Sequence, residues 1–529
     1  MYHVNNSNNG KNCDDDSKNC GGNDGNDSSG KKLKMQNGPI IVKINNENIK
    51  KDNSEQYNIT QAEGVPKPNI IFGNYNLLYS QKEKINQFEN IFYKFRNITN
   101  DYELVGSNYI KVPNIDVISR AYFKLFEILN NFDIHDFDSN GKFIYVGLAE
   151  SPGGFMQCVS DFRIKAKNNI KMNNEKNIFK KVNYHKKMNY YGYNNKTNYY
   201  GSNYGSNYDN YYYNNEPFYY NYYGANDYKN DYKNNYNYYP DKNYYCNYYD
   251  QNDKEFNSRN NYLNNDIFYG ISLRSETEPQ WSYKMNDYFN GNNIIINYGD
   301  NKFNDGNLLN PENIIAFINC VEGKADFITA DGGIGIDNDG IITETYKEQI
   351  HLQLFFAEIV TALILLKEKG NFIIKMYDIF TLPTAQLIVI LTMNFNSVYI
   401  VKPQTSRPAN SERYIVCMDY IGVPPGKLHK MYSCLKKIYT KTTNLPTKDN
   451  DIYIHSFGSI EITEGIMNSI LKANEMIYKP QIKTIEKTLK IINLSQINIL
   501  DFKRKRQKRL KKQKKYAVEW CKKYDVPHF

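Results

Sequence analysis

From about residue 114 the chain alternates short apolar runs with longer segments of helical spacing, and this alternation restricts the fold more than any other feature. Residues 143–148, 268–273, 294–297, 326–330, 372–375, 397–401 and 414–418 have the length and apolar character of strands. Between them, residues 117–130, 311–320, 348–369 and 384–393 read as helices. The longest carries Leu352, Phe355, Phe356, Ile359, Leu363 and Leu366 on one broad stripe, with Gly370 as its expected stop. Strands alternating with helices imply an α/β fold whose mostly parallel sheet is covered on both faces. Ligands in such sheets bind beyond the carboxyl ends of the strands. Asp331, after Thr329-Ala330, and Lys375, after Phe372-Ile373-Ile374, fall at those ends.

Composition narrows how much of the 529 residues can fold this way. Residues 1–64 are rich in Asn, Asp, Lys, Gly and Ser, too polar to offset the entropy of ordering, and are expected to be disordered. Residues 164–263 form an Asn/Tyr/Lys insertion holding 25 of the 49 tyrosines. Long surface insertions cost little, because closure entropy grows slowly with length. Its tyrosines suit stacking on bases; a tolerated low-complexity insertion is the other reading. Residues 65–163 and 264–425 remain as the folded domain, and 426–529 as a helical extension with apolar periodicity at 466–477 and 479–492.

The formal charge of +9 is local: ten Lys and Arg residues lie within 503–515, leaving the remainder near neutral. That block suits RNA phosphates or nuclear localisation; a solvated basic helix is the alternative. Eight cysteines show no CxxC pair, so neither a metal site nor a disulfide framework is expected, and a reducing compartment fits better. The apolar run near 352–366 is broken by Glu358, and the N-terminus lacks an apolar leader. A soluble intracellular protein without membrane association, monomeric and nuclear, with a cytoplasmic location as the alternative, is the expectation.

Candidate chemistry starts at Ser151-Pro152-Gly153-Gly154-Phe155, a turn between strand and helix where glycine lets the backbone approach a ligand closely. Lys375 at a strand end is a candidate base if burial lowers its pKa. Thr329-Ala330-Asp331-Gly332-Gly333, Asp378-Ile379-Phe380-Thr381 and Ser406-Arg407-Pro408-Ala409-Asn410-Ser411-Glu412-Arg413-Tyr414, with Lys124 in the first helix, together resemble the FtsJ-like RNA ribose 2′-O-methyltransferases. Within that family the likeness is greatest to enzymes acting on the first transcribed nucleotide of capped mRNA. It covers about 65–162 and 264–425 and, more weakly, the extension, whose residues 517–527 resemble a short helix and terminal proline of the cap enzymes.

The resemblance implies a Rossmann-like class I methyltransferase with a seven-stranded sheet, using S-adenosyl-L-methionine. It assigns Lys375 as base, Lys124 and Asp331 to positioning and charge balance, and Glu412 to holding Lys375 and the ribose. Ser119, the Ser151–Phe155 turn, Asn307 and Asp331 are the implied donor contacts; Arg407, Asn410 and Glu412 are the implied substrate contacts. Two departures stand out. Gly147 stands where many members carry an acid, and Glu150 where a small residue is common. Capped mRNA is the implied partner, with the transcription or capping machinery as a further one. The competing readings are a ribosomal or transfer RNA 2′-O-methyltransferase, and a non-catalytic RNA-binding protein on the same fold.

Overall fold

The structure, a computed structural model, describes residues 38–46, 57–107, 112–134, 141–167, 265–274, 280–285, 289, 293–300, 302–334, 347–441 and 451–529. The chain divides into two compact units, 1–171 with 255–529 and 172–254, and every described residue belongs to the first. The tyrosine-rich insertion from 168 onward therefore lies outside the described residues, as do residues 1–37.

In chain order the elements begin with β1 (Ile40–Lys43), β2 (Thr60–Glu63), α1 (Tyr75–Asn86), α2 (Glu89–Thr99), a short 3-10 turn at Glu103–Val105, and α3 (Ala121–Phe132). There follow β3 (Ile144–Leu148), α4 (154–167), β4 (Ile267–Ile271), β5 (Ile294–Asn297), α5 (Pro311–Cys320), β6 (Ala325–Ala330), α6 (Lys347–Leu365), β7 (Leu366–Met376), α7 (Leu382–Asn394), β8 (Phe395–Lys402) and β9 (Arg413–Tyr420). The extension adds α8 (Pro425–Lys441), β10 (Ile452–Ser456), α9 (Glu464–Ile497) and α10 (Ile499–Lys523).

Eight strands form one sheet in the order β1-β8-β9-β7-β6-β3-β4-β5, while β2 and β10 pair as a separate antiparallel ribbon. Strands β3 to β7 are mutually parallel; β9 runs against both β7 and β8, and β1 against β8. The expected seven strands are thus joined by an eighth. It comes from the N-terminal stretch read as disordered, where Ile40-Ile41-Val42-Lys43-Ile44 is β-branched enough to hold an edge despite its polar surroundings. Val42 and Ile44 are buried there.

One face of the sheet is covered by α3, α4 and the end of α10, the other by α5, α6, α7, α8 and α9. The C-terminal extension is therefore part of the core. Helix α9 runs 34 residues through Pro480, where the sequence showed two segments. Buried Ile466, Ile470, Ala473 and Ile477 before the proline, and Ile485 and Ile492 after it, hold the helix together across the missing N–H. By length and composition α6 could cross a membrane, but it is buried in this core.

Two helix ends differ from the periodicity reading. Helix α3 starts at Ala121, because the buried Gln157 side chain accepts from the Ile118 amide and donates to the Asp116 carbonyl, keeping 116–118 out of a helix. Helix α6 stops at Leu365, before Gly370, because Leu366 already pairs with Ala325. Exposed Lys367-Glu368-Lys369 then bulges out of register, with Lys369 at φ 65°.

Candidate active site

Three strands deliver carboxyl-end or loop residues to one place. Lys375 near the end of β7 is paired in register with Tyr414 of β9, and Asp331 follows β6 directly. Glu412 immediately precedes β9 and Tyr414 is the second residue of that strand; both are buried, with the Tyr414 hydroxyl turned towards the Glu412 carboxylate. Lys124 reaches in from α3. Lys375 Nζ lies 3.3 Å from Asp331 Oδ1 and also donates to the Asp331 carbonyl. Lys124 Nζ lies 2.8 Å from Glu412 Oε1. The Tyr414 hydroxyl donates to Asp331 Oδ1 at 3.0 Å and reaches Glu412 Oε1 at 3.5 Å, joining the two ion pairs.

This pairing differs from the expected one, in which Glu412 holds Lys375: Asp331 is the direct partner of Lys375, and Glu412 that of Lys124. Tyr414 was not singled out from the sequence. Its signal is the two-residue offset from Glu412 at the start of a strand.

Electrostatics of the four follow from their mutual charges. Burial disfavours the charged amine of Lys375, but Asp331 and the further charges of Tyr377, Glu412 and Glu358 outweigh it, so its pKa is raised above the ordinary lysine value. In Glu412 burial is overcome by Lys124 and Lys375, which hold the carboxyl well below the usual range. At rest the site therefore contains an ammonium at Lys375 and a carboxylate at Glu412.

The 403–412 loop is held from both ends. Glu127 of α3 accepts from the Gln404 amide at 2.7 Å and from the Thr405 amide and hydroxyl at 3.1 Å. Lys402, which was missed as a functional residue, donates to the Glu412 carbonyl at 2.6 Å and to the Asn410 carbonyl and side-chain oxygen at 3.0 and 3.1 Å. Burial pushes its amine down to about 7, with Glu412 opposing. Asn410 is thus an internal partner of the loop. Arg407 forks onto Glu103 at 2.8 and 3.0 Å, and Arg120 joins the same carboxylate at 2.8 Å, leaving one net positive charge from two guanidiniums.

Replacing Lys402 by methionine strips three carbonyl oxygens of their donor in a buried setting. A loss of about 2 kcal/mol in loop order, roughly thirtyfold in kcat/KM for RNA, is expected while donor affinity holds. Steady-state kinetics beside donor titration checks this; full activity in Lys402→Met would show that the loop keeps its shape without the amine.

At the other side of Asp331, the turn after β3 has Gly153 at φ 105°, a conformation favouring glycine, and its N–H donates to the Glu150 carbonyl at 2.8 Å. The Ser151–Pro152 peptide is cis. Ser151 Oγ shares a 2.7 Å hydrogen bond with Ser272, and Gly154 opens α4 with Ser119 Oγ standing where a Cβ would go. Phe155 is buried with its ring 5.8 Å from that of Tyr414, backing the lysine–acid cluster rather than the turn surface.

Asn307 caps its own turn, accepting from the Leu309 amide at 3.0 Å. Gly306, at φ 64°, lets the Ser272 carbonyl pass directly over it, fixing this loop beside the end of β4. Glu150 folds back over Gly147: its Oε2 lies 2.6 Å from where a Cβ on Gly147 would stand. It accepts from the Tyr145 hydroxyl at 2.6 Å and from Thr329, and burial lifts its pKa well above the carboxylate range. The two departures are thus one adjustment, an acid arriving at the space over position 147 from three residues further on.

S-adenosylmethionine can be tested against these residues. Ser119 Oγ is buried with no hydrogen-bond partner among the described residues, and it touches the glycine turn. A donor group unsatisfied in the protein beside a turn stripped of side chains fits a bound polar ligand there.

Comparison with known proteins adds to this geometry. The profile of the FtsJ-like methyltransferase family matches residues 274–420, a span that contains Asp331, Lys375 and Glu412 but not Lys124. Cap-specific mRNA (nucleoside-2′-O-)-methyltransferase 1 from Homo sapiens and from Ailuropoda melanoleuca are each 30% identical over 230 residues, covering 41% of this chain and 26% of theirs. Cap-specific mRNA (nucleoside-2′-O-)-methyltransferase 2 from Drosophila melanogaster is 34% identical over 169 residues, 28% of this chain and 24% of that one. The chain spans about a quarter of the length of these curated relatives. A ribosomal RNA methyltransferase from Plasmodium falciparum aligns at TM-score 0.27 and 14% identity over 58% of this chain and 99% of its own.

Proposed function

Because the chain carries an FtsJ-like methyltransferase domain, we propose that it transfers methyl groups to the ribose 2′-hydroxyl of RNA, and that its substrate is the first transcribed nucleotide of capped mRNA. The observation that carries the reaction type is the pair of lysine–acid contacts joined through Tyr414 at the ends of β6, β7 and β9. The named activity of the curated relatives supports the capped substrate.

S-adenosylmethionine, when bound, supplies an activated methyl; the turn at 151–154, Ser119 and Asn307 would hold it. The protein must then align the ribose oxygen and dispose of its proton. Lys375 rests as an ammonium and first releases a proton to solvent; its neutral Nζ then takes the hydroxyl proton, Asp331 orients the amine, and Glu412, kept ionised and held by Lys124, accepts from a ribose hydroxyl. Tyr414 fixes the distance between the two carboxylates. Arg407 and Arg120, with their surplus positive charge, suit a phosphate flanking the reacting nucleotide.

Separating this reading from a ribosomal or transfer RNA methyltransferase needs matched substrates. Capped RNA should be methylated in strong preference to the same sequence with a 5′ triphosphate and to structured ribosomal or transfer RNA fragments. Preference for an uncapped structured fragment would replace the capped substrate while leaving ribose methylation intact.

A further inference from the structure

Helix α10 carries the basic block, and the fold fixes it in place. Its inner side packs Trp520, fully buried, against Phe123 and Phe126 of α3, the helix that bears Lys124. Tyr516 lies 5.6 Å ring to ring from Tyr102, whose hydroxyl accepts from Gln404 of the 403–412 loop at 2.8 Å. Arg509 donates to the Thr99 carbonyl at 2.9 Å and to Asp101 at 2.7 Å. Gln513 caps the carbonyls at the end of α2. The helix is therefore anchored to the same framework that presents Lys124, Arg120 and Arg407.

Its outer side is different. Arg504, Lys508, Lys511, Lys515 and Lys522 are all exposed and recur at intervals of four, three, four and seven residues, a single stripe along the helix. No acid lies between Asp501 and Glu519, and Glu519, which fills the step between Lys515 and Lys522 on the same face, is half-buried with one carboxylate oxygen turned inward. Apart from the exposed contact of Arg504 with Asp501, the cations of this stripe form no ion pair among the described residues. At 1.5 Å per residue the stripe runs about 27 Å, with successive cations about 5–6 Å apart where the interval is one turn. A row of unneutralised cations held on a rigid rod cannot be explained by stability, because like charges at these intervals repel.

We propose that the outer face of α10 binds the phosphate backbone of the RNA substrate beyond the methylated nucleotide, as a sequence-independent track. This rests on the proposed reaction for the identity of the RNA, but its chemistry needs only phosphates. Counterion release gives it a measurable signature: for single strands log K falls with log salt by about 0.7 for each phosphate neutralised. A substrate too short to reach the helix gains nothing from it.

The test is equilibrium binding of a long capped RNA across a salt series, with no methyl transfer required. The variant Lys508→Gln, Lys511→Gln, Lys515→Gln, Lys522→Gln is expected to lower the salt slope by roughly 3 and to weaken binding at least about tenfold at low salt. In turnover, the KM advantage of a long capped RNA over a capped dinucleotide should shrink. A thermal midpoint close to that of the parent keeps the comparison free of unfolding. An unchanged slope and affinity would overturn the proposal, whether or not methyl transfer occurs. Binding to anionic phosphatidylserine vesicles that depends on exposed Ile497 and Leu500 at the helix start, with RNA binding unaltered, would overturn it in favour of a lipid surface. Failure of the reaction itself would show as absent methyl transfer with the salt slope intact.

Discussion

Lys375→Arg and Lys375→Ala are expected to lower kcat by about a thousandfold while donor affinity stays within about twofold, the size of effect general-base groups contribute. Arginine keeps the positive charge beside Asp331 but cannot give up a proton at accessible pH. Alanine removes both charge and proton acceptor, leaving Asp331 and Glu412 with less compensation. The two variants therefore separate charge balance from proton transfer. In the parent, Asp331 and Glu412 hold the resting amine protonated. The reactive amine fraction then grows as pH rises, so kcat should climb towards alkaline pH until Lys375 is titrated or the protein unfolds. A flat profile between neutral pH and 9, or a Lys375→Arg variant with more than a tenth of parental kcat, would remove Lys375 from the proton path.

Asp378→Ala is expected to destabilise the domain by about 3–5 kcal/mol, because truncating one partner of a buried pair strands the other charge. Lys82, 5% exposed, lies 2.8 Å from Asp378 Oδ2, and the Tyr478 hydroxyl donates to Oδ1 at 2.7 Å. Arg413 completes the network through Tyr478 and through Asn474, whose side-chain oxygen accepts at 2.8 Å. Four elements meet there: α1, the turn after β7, the start of β9, and α9. Lys82 and Arg413 hold the Asp378 carboxyl below the usual range against the effect of burial. Thermal unfolding of Asp378→Ala, Lys82→Met and the double variant measures the coupling, and the double variant should lose less than the two singles added together. A melting shift below about 2 °C for Asp378→Ala would mean that the network is idle.

These residues also mark where sequence reasoning stops. The inner strands were legible because a strand stretch buried on both faces reads as an apolar run, as in β3 and in the Phe372-Ile373-Ile374 part of β7. The order Lys124, Asp331, Lys375, Glu412 was legible through local motifs around each residue. Which lysine faces which acid was not, since that depends on the lateral order of β6, β7 and β9 and on where α3 crosses them. Asp378 could be flagged, but its partner Lys82 stands 296 residues away with no local signal. Lys402 was missed, because its acceptors include backbone carbonyls that no residue type announces. Strand β1 was hidden by averaging: four apolar or β-branched residues vanish inside a polar stretch, although register with β8 makes them an edge. Helix α9 shows the opposite case: two periodic segments are one helix, carried through Pro480 by buried residues on both sides of it.

Two lysine–acid pairs joined by a tyrosine form the proposed ribose-methylating centre. Incubation with methyl-labelled S-adenosylmethionine and capped RNA, followed by digestion to nucleosides and identification of the labelled one, tests it most directly. The predicted result is label on the 2′-oxygen of the first transcribed nucleotide, lost in Lys375→Arg. Label on a base, on the cap guanine, or undiminished in that variant would contradict the account.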